Sequence, residues 1–218
     1  MSAVMAVVGK DLRLAWRDRA GWLTAAAFAA ISVLTYSFAF DLATTDVHPL
    51  LPGVLWTTFL FAGVFAAGAG FQREAEEGTF DALLLSPVSP TVVFLGKLIA
   101  SMIALVVIEF SLLIAATILF DEPLVTPDLV VIVILGTAGY ASLTTLLGTL
   151  GSGTRTRAVL LPVMALPLLV PMLIAAVRAT GETLGIFAGD APWTMLLGVF
   201  ALWSTLTAVL LFPLAVER

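Results

Sequence analysis

The chain contains six apolar runs, each about as long as a helix must be to cross a lipid bilayer. Such a helix needs about 20 predominantly apolar residues, and it satisfies within itself the backbone hydrogen bonds that lipid cannot supply. Only 11% of the 218 residues are charged, whereas a soluble domain has about 25%. The sequence therefore predicts an all-α membrane protein, with one domain of six transmembrane helices over residues 21–218. The spans are predicted at about residues 21–40, 50–70, 98–120, 129–150, 158–177 and 193–215.

Residues 1–20 are predicted to form an amphipathic helix that lies in the plane of the membrane. At 100° per residue, one side of this helix is apolar and the other carries Lys10, Arg13 and Arg17. The apolar side would enter the acyl boundary, and the basic side would contact anionic headgroups of the lipid bilayer. The alternative is a helix that packs against a neighbouring element. The apolar side consists of Val4, Met5, Val8, Leu12, Ala15 and Trp16.

The basic residues favour one orientation in the membrane. With a cytoplasmic N-terminus, nine of the ten Lys and Arg residues lie on the cytoplasmic side and only Arg178 lies outside. Both termini and residues 73–97 are therefore predicted to be cytoplasmic. The loops at 41–49, 121–128 and 178–192 are predicted to face the other compartment. No removable signal peptide is predicted, since the first residues mix acids and bases without a small-residue cleavage site.

Residues 73–97 form the longest run that is neither membrane-like nor a simple linker. Residues 73–77 are predicted to extend the helix of the second span as far as Gly78, because glycine commonly follows a helix end. Ser89-Pro90 predicts the start of the next helix, with serine as the cap and proline at the first helical position. A short helix, capped by Thr79, is predicted between these two signals.

The short helix would present an apolar face to the cytoplasm. Phe80, Leu83 and Leu84 lie at positions i, i+3 and i+4 and so share one side. Pro87 ends the helix, because the residue before a proline avoids helical geometry. The neighbouring acids would be repelled by an anionic leaflet, so a protein partner is favoured over lipid. The predicted docking residues are Glu76, Glu77, Gly78, Thr79, Phe80, Leu83, Leu84 and Pro87.

Glu109 is the only acidic residue deep inside a predicted span. A charge at this depth costs about 2.5–3.5 kcal/mol on insertion scales, so the side chain should face the protein interior or water, or be protonated. One hypothesis is that Glu109 lines a seam that moves during conformational change, paired with a helix of a second subunit. The other is a neutral carboxyl that is hydrogen-bonded to a Ser or Thr of a neighbouring span.

Several kinds of chemistry are excluded by the composition and by missing motifs. The chain has no cysteine and one histidine, which excludes disulfides, iron–sulfur clusters, thiolate metal sites and a Cys-His nucleophile. No phosphate-binding loop of the G-x-x-x-x-G-K-[ST] type occurs, so nucleotide must bind elsewhere. The net charge of −5 and the scattered basic residues argue against nucleic acid. We therefore predict a non-enzyme with no catalytic residue and no metal site.

The run EEGTFDALLLSPVSPTVVFLGK, residues 76–97, resembles the E-x-G-T-x-x-x-L-L-x-x-P-x-x-x-x-x-x-x-GK signature of ABC-2-type export permeases. The LLLSPVSP wording and the short C-terminal tail look most like the haem exporter protein B family, the CcmB-type permeases of cytochrome c maturation. The length and the six-span layout fit that family. The resemblance implies an ABC-2 type exporter fold in the bacterial inner membrane. Residues 73–97 would be the coupling hairpin, whose coupling helix docks on a cytoplasmic ABC ATPase, and residues 1–20 the connecting helix.

The resemblance also implies partners and a function. The chain would work as a homodimer, with ATP and Mg²⁺ bound in the separate ATPase, beside haem-handling membrane subunits and a periplasmic haem chaperone. ATP hydrolysis would drive haem export or release of the haem-loaded chaperone. Two alternatives stay open: an ABC-2 exporter of a lipid, glycan or small molecule, and a force-transmitting scaffold with no substrate path. Candidate axial ligands for haem are His48 and, more weakly, Met102, Met164, Met172, Tyr36 and Tyr140.

Overall fold

The computed structural model describes the backbone of residues 2–17, 19–39, 47–77, 88–150, 157–189 and 191–216. Over these ranges the chain forms seven α-helices, a short 3-10 helix at His48–Leu50 and no β-strand. The prediction of an all-α protein is confirmed for this part of the chain. The helices are α1 (Ala3–Arg17), α2 (Arg19–Ala39), α3 (Leu51–Glu77), α4 (Pro90–Phe120), α5 (Pro127–Leu150), α6 (Arg157–Thr183) and α7 (Trp193–Val216).

Within the described ranges, five helical stretches are long and apolar enough to cross a membrane, and they overlap the second to the sixth predicted spans. The helix at the first predicted span is α2, whose apolar stretch Leu23–Ala39 is shorter. At 1.5 Å per residue it is about 26 Å long, against about 30 Å for the hydrocarbon core. The chain is therefore a multi-pass membrane protein. The five stretches are His48–Gly68, Pro90–Phe120, Pro127–Thr149, Met164–Thr183 and Trp193–Val216.

Helices α3 and α4 both extend well beyond a membrane span at the ends that flank the predicted docking segment. Helix α3 includes residues 73–77, as expected, and reaches Glu77. Helix α4 begins at Pro90, where Ser89 is extended with φ −62° and ψ 144°, so the predicted helix start is confirmed, although the Ser89 side chain makes no capping hydrogen bond. With 27 and 31 residues, the two helices are about 40 Å and 46 Å long. The predicted short helix, at 78–87, lies outside the described residues.

Helix α6 is longer and more regular than the sequence suggested. It continues past Val177, the predicted end of the fifth span, as far as Thr183. Pro162, Pro167 and Pro171 in this span predict a bend or a local break, but the helix is continuous through all three, so no break is observed. The helix stops at Gly185, whose φ of +71° is the left-handed conformation that terminates helices. The N–H of Ile186 then donates to the carbonyl of Gly181 over 2.8 Å.

Helix α5 lies at the centre of the bundle, where it packs against α4, α6 and α7. Residues 141–149 of this helix are all buried. Small residues let large rings approach its backbone closely: a Cβ at Gly139 would lie 3.0 Å from Cδ1 of Phe200 on α7, and one at Gly136 would overlap the ring of Trp56 on α3. Helix α2 packs along α3, and α1 packs along α4.

The outer surface of the bundle is apolar. On α7, Leu202, Leu206 and Leu210 are each more than half exposed, as are Ile114 and Ile118 on α4. A soluble monomer rarely exposes continuous apolar patches of this kind, whereas lipid tails cover them without cost. The surface of the bundle that would contact lipid is thus apolar, and the buried polar side chains lie between helices.

Candidate functional site

Glu109 lies at a contact between two helices in the middle of the bundle. It is on α4 and only 6% exposed. Its Oε2 lies 2.5 Å from Oγ1 of Thr137 on α5, and the same Oγ1 lies 2.7 Å from the carbonyl oxygen of Val133. The carboxyl therefore contacts a threonine of a neighbouring span, as the second hypothesis from the sequence required.

A small cavity lies beside this contact, where α3, α4, α5 and α6 meet. It has room for about one water molecule. Tyr140, on α5, lines the cavity and is 5% exposed, and its hydroxyl has no hydrogen-bond partner among the described residues. Gly63 leaves room for this ring, since a Cβ there would lie 2.8 Å from the Tyr140 hydroxyl oxygen. The lining residues are Trp56, Phe59, Leu60, Glu109, Gly136, Tyr140, Met172 and Leu173.

A second polar contact crosses the bundle at the same cavity. Trp56 Nε1 on α3 donates to Oγ1 of Thr180 on α6 over 2.8 Å, and both residues are buried. Hydrogen bonds between membrane helices contribute about 0.6 kcal/mol on average. The Trp56 ring also lies so close to Gly136 that there is no space for a side chain at position 136. The helices around the cavity are therefore held together by polar contacts and by the close approach of the Trp56 ring to the backbone of α5.

Replacing Gly136 with alanine is expected to lower the stability of the bundle by about 1–3 kcal/mol, the usual cost of overpacking. The new methyl group would overlap the rigid Trp56 ring, so α3 and α5 must separate. The matched control is Gly53→Ala, since nothing lies within 4 Å of a Cβ there. Thermal unfolding of the purified chain in detergent checks this prediction. Equal melting temperatures for the two variants would contradict the close packing.

The junction of α1 with α4 is a second cluster of buried and charged residues, next to the predicted docking segment. A Cβ at Gly96 would lie 2.5 Å from Cβ of Val7, so the two helices touch here. Lys97 Nζ lies 3.7 Å from Oδ2 of Asp11, and the Lys97 side chain is only 5% exposed. Gly96-Lys97 is the end of the motif quoted above. These two motif residues therefore hold α1 against α4.

The basic face of α1 differs in part from the sequence prediction. Lys10 Nζ lies 2.8 Å from Oδ1 of Asp11, on the side that faces α4, whereas Arg13 and Arg17 are exposed as predicted. Of the predicted apolar side, Val8 is buried against the bundle, but Met5 and Trp16 are more than half exposed. Helix α1 thus packs on a neighbouring helix and still has apolar side chains on its outer surface.

Of the eight predicted docking residues, six lie outside the described part of the chain. Glu76 and Glu77 belong to the last turn of α3, and residues 78–87 are not described. The structure gives the two helix ends, at Glu77 and Pro90, between which the segment must run.

The candidate haem ligands are distributed over several helices. His48 Nε2 lies 3.7 Å from Oε2 of Glu122 at one end of the bundle. Tyr140 and Met172 both line the cavity described above, which is far smaller than a porphyrin. Among the residues with a described position, no three His, Cys, Asp or Glu side chains form a cluster suited to a metal ion.

Comparison with known proteins assigns the chain to a family. A protein-family model described as CcmB protein matches residues 2–218, which is nearly the entire sequence. The chain belongs to the CcmB family. The family resemblance noted on residues 76–97 is thereby confirmed, and the match extends over residues 2–218.

Curated relatives agree with this CcmB assignment. Heme exporter protein B of Rhodobacter capsulatus is 32% identical over 204 residues, which cover 90% of each chain. Heme exporter protein B of Paracoccus denitrificans is 28% identical and covers 96% of this chain and 94% of the relative. The protein of the same name from Pseudomonas aeruginosa is 26% identical, with 92% and 91% covered.

Several residues of the polar contacts in this CcmB-family chain were not singled out from the sequence. Asp11, Thr137 and Thr180 are short polar residues in helices, with no local pattern that identifies a partner. One signal was available for Asp11, because an acidic residue flanked by basic residues on an amphipathic helix suggests a partner other than anionic lipid. Trp56 gave a weaker signal, since it lies inside a span and away from the interface where tryptophan is enriched.

Proposed function

We propose that the chain is the membrane subunit of an ATP-binding-cassette complex that handles haem for cytochrome c maturation. The observation that carries this proposal is the match to the CcmB family over residues 2–218, with relatives named Heme exporter protein B along nine tenths of their length. In the proposal this chain hydrolyses no ATP. A separate ATPase binds ATP and Mg²⁺, and this chain couples hydrolysis to haem export or to release of a haem-loaded chaperone.

In this proposal α2 is the first of six spans, and both termini lie in the cytoplasm. Helix α2 packs along α3, a helix of spanning length, and exposes Ile31 and Phe38 on its outer surface. A hydrophobic stretch slightly shorter than the bilayer is accommodated by local thinning at modest cost. The excess of basic residues on one side supports the orientation. The membrane is then the bacterial inner membrane.

The coupling segment, Glu76 to Pro87, would dock on the ATPase through Phe80, Leu83 and Leu84. Support comes from the two helices that flank it, since α3 and α4 are each longer than the hydrocarbon core is thick. A continuous helix transmits a displacement at one end along its axis. When a pair of ATPase subunits closes around ATP, both helices would thus move. The homodimer would then have two arrangements, with and without ATP, that differ in the positions of α3 and α4.

Helix α1 would move together with the coupling segment. Its contacts to Gly96 and Lys97 attach it to the cytoplasmic end of α4. Exposed Arg13 and Arg17 would contact anionic headgroups, and Trp16 would enter the interface beside them. Helix α1 would therefore move along the membrane surface when the coupling segment and the attached end of α4 are displaced.

A scaffold that transmits force without carrying a substrate is the second candidate. It is favoured by the close packing of the described bundle, in which the cavity at Glu109 holds no more than about one water molecule. Any substrate path would then lie between subunits or in a partner. In both candidates the mechanical role of α3, α4 and the coupling segment is the same.

Purification of the tagged chain from membranes of a bacterium that makes c-type cytochromes tests the proposed function. We expect an ABC ATPase, a second copy of the chain and further membrane subunits to co-purify, and haem to be detected by its absorption. Deletion of the gene should abolish holocytochrome c. Normal holocytochrome c in the deletion strain, or a purified complex that contains lipid or glycan cargo and no haem-handling subunit, would contradict the proposal.

A further inference from the structure

Thr137 makes two short polar contacts, and together they need one proton more than its hydroxyl can donate. A threonine hydroxyl has a single proton to donate and lone pairs that accept. Thr137 Oγ1 lies within hydrogen-bond distance of two oxygens, the Val133 carbonyl at 2.7 Å and Glu109 Oε2 at 2.5 Å. The carbonyl can only accept. Both contacts can be hydrogen bonds at the same time only if Thr137 donates to Val133 and Glu109 donates to Thr137.

Other hydroxyls in the bundle show which contact Thr137 makes as a donor. Thr58 donates to the carbonyl of Val54, Ser111 to that of Val107, and Ser142 to that of Ala138, each over 2.7 Å. This bond to the residue four positions earlier is a common arrangement for Ser and Thr in helices. By the same geometry Thr137 donates to Val133, and its lone pair faces Glu109.

The surroundings of the carboxyl also favour a neutral acid. The groups that face it across the cavity are Trp56, Phe59 and Leu60 from α3, Gly136, Thr137 and Tyr140 from α5, and Met172 and Leu173 from α6. Tyr140 is the only ionisable group in this set, and it can offer no positive charge. A buried carboxylate without a cation is strongly disfavoured, because it loses the hydration that bulk water gives and gains no ion pair in return.

We propose that Glu109, Thr137 and Tyr140 form a proton-binding site inside the membrane, where Glu109 is the neutral acid and donates its proton to Thr137. Glu109 and Tyr140 both line the small cavity, where one water molecule can join the carboxyl to the Tyr140 hydroxyl. The proton is held for as long as α4 and α5 remain in contact. Separation of the two helices admits water, and Glu109 then ionises. The site thus binds a proton in one arrangement of the bundle and releases it in another.

Infrared spectroscopy of the purified chain in a detergent without ester or carboxyl groups tests this proposal without an assay of transport. A neutral carboxylic acid has a C=O stretching band that carboxylates and amides lack. We expect such a band in the wild-type chain at neutral pH, persisting in mildly alkaline buffer. Glu109→Gln should remove it. The control Glu122→Gln, in a partly exposed loop position, should leave it unchanged.

The variant Thr137→Val keeps the carboxyl and removes the acceptor, so the band should remain and move to higher frequency. Tyr140→Phe should shift it less. The proposal is overturned if the wild-type chain has no such band, if the band survives in Glu109→Gln, or if Thr137→Val leaves its frequency unchanged. Should Glu109→Gln fail to fold, the frequency shift in Thr137→Val decides the question alone.

Discussion

Replacing both Leu83 and Leu84 with aspartate is expected to abolish binding of the ATPase and maturation of c-type cytochromes, while the chain stays in the membrane. Burial of a leucine contributes about 1.5–3 kcal/mol. Loss of two such contacts costs about 3–6 kcal/mol, which corresponds to roughly two to four powers of ten in affinity. The new charges would also add to the neighbouring acids Glu76 and Glu77. Co-purification of the ATPase and the amount of holocytochrome c measure the effect.

The matched control for this pair is Val125→Asp, in the loop between α4 and α5, where the valine is about half exposed. This loop is predicted on the opposite side of the membrane, so the control adds an acid without touching the coupling segment. It should retain the ATPase and holocytochrome c. Wild-type amounts of both in the double aspartate variant would show that the segment does not dock on the motor.

Reversing the charge of Asp11 with lysine is expected to detach α1 from α4. The Lys97 side chain is 95% buried and lies 3.7 Å from Asp11, so the substitution opposes two cations with little water between them. Breaking a buried ion pair typically costs about 3–5 kcal/mol, and we expect the lower end of this range because Asp11 is partly exposed. Trypsin should then cleave the purified chain more rapidly after Arg13 and Arg17, and the melting temperature should fall.

The second substitution Lys97→Asp in the Asp11→Lys background tests whether the pair itself is responsible. Opposite charges again face each other, so part of the melting temperature and of the protease resistance should return. Asp128→Lys is the control, because Asp128 is exposed in the first turn of α5 and its replacement should cost at most about 1 kcal/mol. A double variant no more stable than Asp11→Lys alone would show that the contact contributes no specific attraction.

Both of these predictions concern the ends of α3 and α4, where the sequence was most informative. Glycine and proline have effects that do not depend on distant residues, and Ser89-Pro90 begins α4 as predicted. The sequence predicts a loop from Arg178, and this prediction is wrong, because α6 continues to Thr183. The guanidinium of Arg178 lies 4.9 Å from the centroid of the Phe187 ring, a contact that stabilises a charge near the end of a membrane helix.

The sequence by itself determined that the chain is helical, that it crosses the membrane several times and where most of its helices lie. The physical reason is that lipid cannot supply hydrogen bonds to the polar backbone, so an apolar span must be helical, and that the signals of caps and turns are local. The tertiary structure alone decided which residues meet: Glu109 with Thr137, Trp56 with Thr180, and Asp11 with Lys97. Helices α4 and α5 are only weakly amphipathic, so the sequence has no clear periodicity from which to tell the buried face. Packing fixes the rotation of each helix about its axis, and with it every contact between helices.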